Sequence, residues 1–169
     1  MRITGGKLRK KSIRLYAEKG VRPTSSRVRE AFFSIVGQDL DQLRFLDAFG
    51  GSGVMGIEAY SRGAFVTICE NRKTAFHGIK KTINDENLGI QVHYGSVATI
   101  LDQGWDIIFM DPPYRVAPQP WLERAAEYVQ KVLVFEHCSK TIMPDRVANI
   151  RKRKSKKYGD SMLSFYEPL

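Results

Sequence analysis

The chain has 169 residues, 43% of them hydrophobic, with 27 Lys and Arg against 18 Asp and Glu and a formal net charge of +9. That length suits one globular core and is short for two, and no apolar run approaches the roughly 20 residues that span a bilayer. Cys69 and Cys138 belong to no C-x-x-C pair, and His77, His93 and His137 show no ligand spacing, which favours buried thiols over a disulfide or a metal site.

The charge is unevenly placed. Residues 1–29 hold ten Lys or Arg and a single acid, Glu18, whereas the remaining 140 residues hold 17 bases and 17 acids. The whole net charge therefore belongs to the N-terminal segment, the footprint of a polyanion contact on a neutral domain. A solvated tail is the other reading, but Gly5, Gly6, Ile13, Leu15, Tyr16 and Val21 interleave the bases in a way that a disordered tail does not need. The Gly5-Gly6 signal followed by Leu8, Ile13 and Leu15 predicts a short hairpin with outward bases. Lys7, Arg9, Lys10 and Lys11 are its candidate nucleic-acid contacts. A basic extension over 1–24 and a second unit over 25–169 are expected. With no apolar stretch behind the first charges, the protein is expected to be soluble and cytoplasmic.

Arg22-Pro23-Thr24-Ser25 precedes Val28, Ala31, Phe32 and Ile35 at helical spacing, with Thr24 or Ser25 as N-cap. Arg22, Arg27 and Arg29 fall around the start of that helix, where guanidinium forks can grip phosphates; a solvated helix face is the competing reading. Arg44 to Phe49 reads as a first buried strand running into Gly50-Gly51-Ser52-Gly53, and Gly51, Gly53 and Gly56 meet the G-x-G-x-x-G spacing before a helix that starts near Val54. Asp47, at the strand end, would repel a dinucleotide pyrophosphate and attract an ammonium such as that of S-adenosylmethionine. No Gly-Lys-Ser/Thr follows, which excludes a P-loop.

Ala64 to Glu70 is a second strand, and Glu70 falls 19 residues after Gly51, where a carboxylate can accept both hydroxyls of a ribose. Asn71 to Asn84 reads as a helix, and Ile90 to Tyr94 as a third strand leading to a capping turn at Gly95-Ser96 near an adenine. Trp105 to Met110 is a fourth, buried strand, so Asp111-Pro112-Pro113-Tyr114 emerges at its carboxyl end, where open α/β sheets place their chemistry. The two prolines fix φ and leave the Asp111 and Pro112 carbonyls as rigid acceptors. A carboxylate, a fixed carbonyl and the Tyr114 ring suit a planar group carrying an exocyclic amine; a strand ending in Pro-Pro with Asp111 as a cap is the alternative. Pro120 to Val129 reads as a helix, Lys131 to Glu136 as a fifth strand, and His137 as a packed or capping residue. Val147 to Ile150 and Ser161 to Tyr166 read as two closing strands in an edge hairpin, with six bases in Arg151 to Lys157 between them. Those bases serve either against edge aggregation or as a second phosphate contact.

Taken in order, Gly5-Gly6, Arg22-Pro23-Thr24, Val28-Arg29-Glu30, Phe45 to Ala64, Asp111 to Tyr114 and Tyr158-Gly159-Asp160 resemble the bacterial RsmD-type methyltransferases, which modify the N2 amine of a guanine in 16S ribosomal RNA. The resemblance implies a Rossmann-like class I methyltransferase, α/β, with a seven-stranded, mostly parallel sheet, a reversed C-terminal strand and a small basic N-terminal hairpin. It implies S-adenosylmethionine as cofactor, held by Asp47, Gly50, Gly51, Ser52, Gly53, Glu70, Asn71 and Ser96, with Asp111, Pro112, Pro113 and Tyr114 catalytic. Lys7, Arg9, Lys10, Lys11, Arg22, Thr24, Arg27 and Arg29 are the matching RNA-binding set. The partner implied is 16S ribosomal RNA or the assembling small subunit, met by a monomer without metal. Two positions depart from the family: Ser96 stands where an acid is usual and Gly50 where Ala is common, the latter expected to be harmless. Asp-Pro-Pro-Tyr is shared with enzymes acting on DNA adenine, so a DNA adenine-N6 methyltransferase and a non-catalytic RNA-binding module on the same fold are the competing functions.

Overall fold

Short apolar strands alternating with helices assemble into one twisted sheet covered on both faces. The computed structural model describes residues 1–21, 23–113 and 115–169; Arg22 and Tyr114 lie outside the described residues. In chain order the elements are α1 (Ser26–Val36), β1 (Arg44–Asp47), α2 (Val54–Ser61), β2 (Phe65–Glu70), α3 (Lys73–Asp85), β3 (Gln91–Tyr94), β4 (Trp105–Met110), α4 (Pro118–Ala126), β5 (Val129–Cys138), β6 (Arg146–Val147), β7 (Ile150–Tyr158) and β8 (Ser161–Pro168). The strand order is β3-β2-β1-β4-β5-β8-β7-β6. The first five strands pair in parallel, while β8 runs antiparallel to both β5 and β7. This is the expected Rossmann-like sheet with its reversed C-terminal strand, extended from seven strands to eight by the two-residue β6.

Two details of the closing region differ from the sequence reading. The basic run Arg151 to Lys157 is not a connection but the body of β7, and the Val147-to-Ile150 stretch is a tight turn joining β6 to β7. Most residues of that strand face solvent on both sides, so no apolar alternation marked it. β8 is also not at the edge: it is inserted between β5 and β7. The fourth helix starts two residues earlier than predicted because Pro118 and Pro120 fall in its first turn, where a missing N–H costs nothing. It ends at Ala126, which leaves Val129 to open β5.

Each buried strand feeds two cores. Phe45, Phe109 and Val134 point to the face covered by α1, α2 and α3, while Leu46, Met110 and Phe135 point to the face covered by α4. Ser25 caps α1 by accepting from the Val28 amide at 3.3 Å. On that helix Phe32 meets Phe109 edge-on with ring centroids 5.3 Å apart and also contacts Phe33, Phe45 and Phe165. The N-terminal residues form the expected hairpin, Arg2 bridging to Ser12, and its Ile3 and Ile13 are buried in the same apolar cluster as Phe32. Strand alternation then sends Asp47, the last residue of β1, and Glu136, two residues before the end of β5, to the α1 and α2 side of the sheet.

Candidate active site

Three loops converge at the carboxyl ends of the parallel strands. After β1, the chain turns through Gly50 to Gly53, and Gly53 begins α2 with φ of 79°. That left-handed conformation admits glycine without strain. Gly50 is backed so closely by Ile68 that a Cβ there would lie 2.5 Å from its Cγ2 atom. The absence of a side chain at Gly50 is thus matched to the isoleucine behind it.

Carboxylates ring this edge. Glu70, at the end of β2, accepts the Gly51 amide at 2.9 Å and the Arg72 amide at 2.8 Å, so it braces the glycine loop and the start of the next turn. Asp47 is buried and accepts the Gly56 amide at 3.1 Å. Burial, more than the neighbouring Glu70, raises its pKa to about 7. Asp111 follows β4, and Met110 pairs with Phe135, so Asp111 and Glu136 are neighbours on adjacent strands. Burial first, then the charges of Glu136 and Asp47, lifts Asp111 to about 8. Glu136 is also raised by burial, opposed by a hydrogen bond with Ser161. Glu70 is paired with the half-exposed Arg72, and an edge so rich in carboxyl groups favours positive charge.

Two cavities open onto this row. One, of about 60 Å³, is lined by Ala48, Phe49, Glu70, Asn71, Ser96 and Trp121 among others. Phe49 and Trp121 meet edge-on there, 5.4 Å apart. Ser96 caps the short turn Val97–Thr99, accepting from Ala98 at 3.3 Å. The second cavity, of about 280 Å³, is bounded by Pro112, Pro113, Arg115, Phe135, Glu136 and His137 among others. Beside it the Val116 amide donates to the Pro113 carbonyl at 2.9 Å. His137, as expected of a packed residue, is buried with Nε2 2.8 Å from the Ser164 hydroxyl, and burial lowers its pKa.

The model of the family described as Conserved hypothetical protein 95 matches residues 1–167. The chain belongs to this family. The Ribosomal RNA small subunit methyltransferase D of Buchnera aphidicola is 36% identical over 118 residues, covering 66% of this chain, and the match spans 62% of that relative's length. The Putative rRNA methyltransferase YlbH of Bacillus subtilis is 29% identical over 99% of this chain and 98% of its own. Among solved structures, the putative methyltransferase yhhF from Escherichia coli superposes with a TM-score of 0.85 at 24% identity, covering 99% of this chain and 97% of that one. These relatives bear out the resemblance to the RsmD-type methyltransferases and the class I methyltransferase fold.

In this member of the Conserved hypothetical protein 95 family, Asp47, Gly50 to Gly53, Glu70, Asn71, Ser96 and Asp111 to Pro113 come together at one edge of the sheet. Tyr114 and Arg22, singled out from sequence, lie outside the described residues. Lys7, Arg9, Lys10, Lys11 and Arg27 are exposed, with Lys11 paired to Glu86 at 2.8 Å and Lys7 over the Tyr60 ring. Arg29 needs correction. It is buried, and its guanidinium donates to Glu58 Oε1 at 2.9 Å, to the Thr24 carbonyl at 2.6 Å and to the Arg2 carbonyl at 2.9 Å, so it organises the protein instead of facing a phosphate. Thr24 serves this network through its carbonyl. Sequence reasoning missed Glu58, Arg62, Trp121 and Glu136. Of these only Glu136, an acid following an apolar run as Asp111 does, carried a legible signal.

Proposed function

We propose that the protein is an S-adenosylmethionine-dependent methyltransferase acting on the exocyclic N2 amine of a guanine in small-subunit (16S) ribosomal RNA. The observation that carries this reading is the Asp111-Pro112-Pro113 segment at the carboxyl end of β4, whose two prolines line the 280 Å³ cavity at the same edge of the sheet as the glycine loop. Family membership supports it, as do the names of the Buchnera and Bacillus relatives.

The residues present fit the cofactor. Glu70 accepts the Gly51 and Arg72 amides and, at 3.2 Å on each oxygen, the half-exposed Arg72 guanidinium, whose places ribose hydroxyls would take when the guanidinium swings to water. Phe49, Trp121 and Ser96 bound a slot of the right character for an adenine, and Asp47 with its neighbouring acids favours a cationic centre. When bound, S-adenosylmethionine supplies an electrophilic methyl group and departs as a neutral thioether.

The protein's part is positioning. Asp111 accepts one amine N–H and the Pro112 carbonyl the other, which turns the nitrogen lone pair away from the base. Tyr114 is assigned the stacking role. The alkylated nitrogen is strongly acidic, and its proton passes to Asp111 or to water. The target nucleotide must leave its stack to reach the cleft, while Lys7, Arg9, Lys10, Lys11 and Arg27 hold phosphates without reading sequence. A monomer in the cytoplasm, working on 16S ribosomal RNA or on the assembling subunit, completes the reading; among the described residues no helix is long and apolar enough to cross a membrane, and no acid, His and Cys group is arranged to hold a metal.

Asp111→Ala tests it. Turnover is expected to fall by about a hundredfold or more with S-adenosylmethionine affinity, read by calorimetry, within about threefold of wild type. Near-normal turnover would remove Asp111 from the mechanism. Transfer to DNA adenine instead of RNA would favour the DNA enzyme, whose Asp-Pro-Pro-Tyr turn is the same.

A further inference from the structure

Glu136 is 8% exposed, yet its Oε2 atom finds no hydrogen-bond partner among the described residues. A buried polar atom left unpaired carries a free-energy cost, and natural proteins keep few of them. Glu136 is among the residues that line the 280 Å³ cavity. Its neighbour on the adjacent strand is Asp111, because Met110 and Phe135 are paired one residue earlier, and adjacent strands lie about 4.8 Å apart. Ser161, on β8, holds Glu136 by a hydrogen bond and so steadies the carboxyl group. Glu136 and, one residue beyond Asp111, Pro112 line the cavity, with Asp111 next to Glu136 at the strand ends, so two acceptors lie side by side at its margin.

Building on the proposed amine methylation, we infer that Glu136 reads the base, accepting the N1–H of guanine while Asp111 holds the adjacent N2 amine. The chemistry discriminates. Guanine offers two neighbouring donors on that edge, N1–H and the N2 amine, which match two neighbouring carboxyl groups. Adenine offers an acceptor at N1, which would face the Glu136 oxygen and leave both unpaired. A carboxylate whose only role was structural would have its second oxygen bonded within the protein. Burial and the like charge of Asp111 disfavour ionising both groups together; two donors from the base offset that cost.

The test compares binding of three ribonucleoside monophosphates: guanosine, inosine, which keeps N1–H but has no N2 amine, and 2-aminopurine riboside, which keeps the amine but has no N1–H. By equilibrium titration the wild-type protein is expected to bind the guanosine form about tenfold or more tightly than the 2-aminopurine form, with the inosine form nearer to guanosine. In Glu136→Gln, whose amide can donate to an acceptor at N1, that ratio is expected to fall below about threefold. Binding of S-adenosylhomocysteine and the thermal midpoint, measured on the same variant, report that the fold is intact. Equal wild-type affinity for the guanosine and 2-aminopurine forms would overturn the inference without any variant. So would a Glu136→Gln protein that folds and keeps the wild-type ratio. Failure of the underlying function looks different: wild-type protein would transfer no methyl group to ribosomal RNA, whatever the nucleotide ratio.

Discussion

Replacing Glu58 by glutamine removes one negative charge from the interior while changing the side-chain shape very little. Glu58 is fully buried on α2 and sits between two buried guanidinium groups, with Arg29 Nε 2.9 Å from Oε1 and Arg62 Nη1 2.6 Å from Oε2. It also accepts the Thr4 amide at 3.0 Å and the Thr4 hydroxyl at 2.9 Å, which ties the N-terminal hairpin to the helix that follows the glycine loop. Arg62 lies over the Phe33 ring at 4.0 Å and donates to Gln38 at 3.1 Å, so it cannot swing out to water without leaving α1 unpacked. In Glu58→Gln two buried cations face a neutral amide whose own N–H groups point at donors. Removing one partner of a buried ionic group costs about 3 to 5 kcal/mol, and for a domain of this size each kcal/mol moves the midpoint by about 2 to 4 °C. The expected loss is therefore roughly 6 to 20 °C in thermal unfolding followed by circular dichroism. Limited proteolysis should cut first between Lys7 and Lys19, since the hairpin loses its anchor at Thr4. A loss below about 1 kcal/mol, the range of an exposed pair, would refute the assignment of these three residues as one buried network.

Asp111 holds an amine hydrogen most strongly, and can take the departing proton, when it is ionised, and in the free protein burial and its acidic neighbours lift it to about 8. The kcat/KM for methyl transfer is therefore expected to rise with pH towards a plateau, with a midpoint that belongs to the Asp111 and Glu136 pair jointly. Glu136→Gln removes a like charge and should move that midpoint down; a flat profile between about pH 6 and 9 would contradict the burial argument. Asp47 gives a stability prediction of definite sign. Its pKa rises from 3.8 to about 7 on folding, so the folded state holds the proton more tightly and wild-type stability declines as pH climbs through that interval. Asp47→Asn escapes the decline. The full shift corresponds to about 4 kcal/mol, offset by about 1 to 3 kcal/mol for a buried amide N–H without an acceptor, so the variant should gain on wild type steadily from about pH 4 to 7 in urea denaturation. A difference that does not change with pH would mean that Asp47 is charged in the folded protein throughout.

The parallel half of the sheet was legible because each strand there is a short apolar run ending in a chemically distinct residue. Trp105–Met110 and its Asp111 were read to the residue, and the glycine loop marked the start of α2 at Val54. The basic strand β7 was not legible, since a strand with bases on both faces has no apolar period to detect. Arg29 was misassigned for a different reason. Nothing local separates an arginine that meets phosphate from one that meets Glu58, 29 residues away, and only the packing of α1 against α2 decides it. Glu136 could have been found by the rule that found Asp111, because both follow an apolar run, Val132 to Phe135 and Ile107 to Met110, at the same edge of the sheet.

The most direct test of the account is transfer of labelled methyl from S-adenosylmethionine to small-subunit ribosomal RNA, free and protein-bound, from cells lacking this protein, with the product nucleoside identified by mass spectrometry. The account predicts N2-methylguanosine, and the better of the two RNA forms identifies the stage at which the enzyme acts. No transfer to either form by a protein that still binds the cofactor, or a product of N6-methyladenosine, would contradict it.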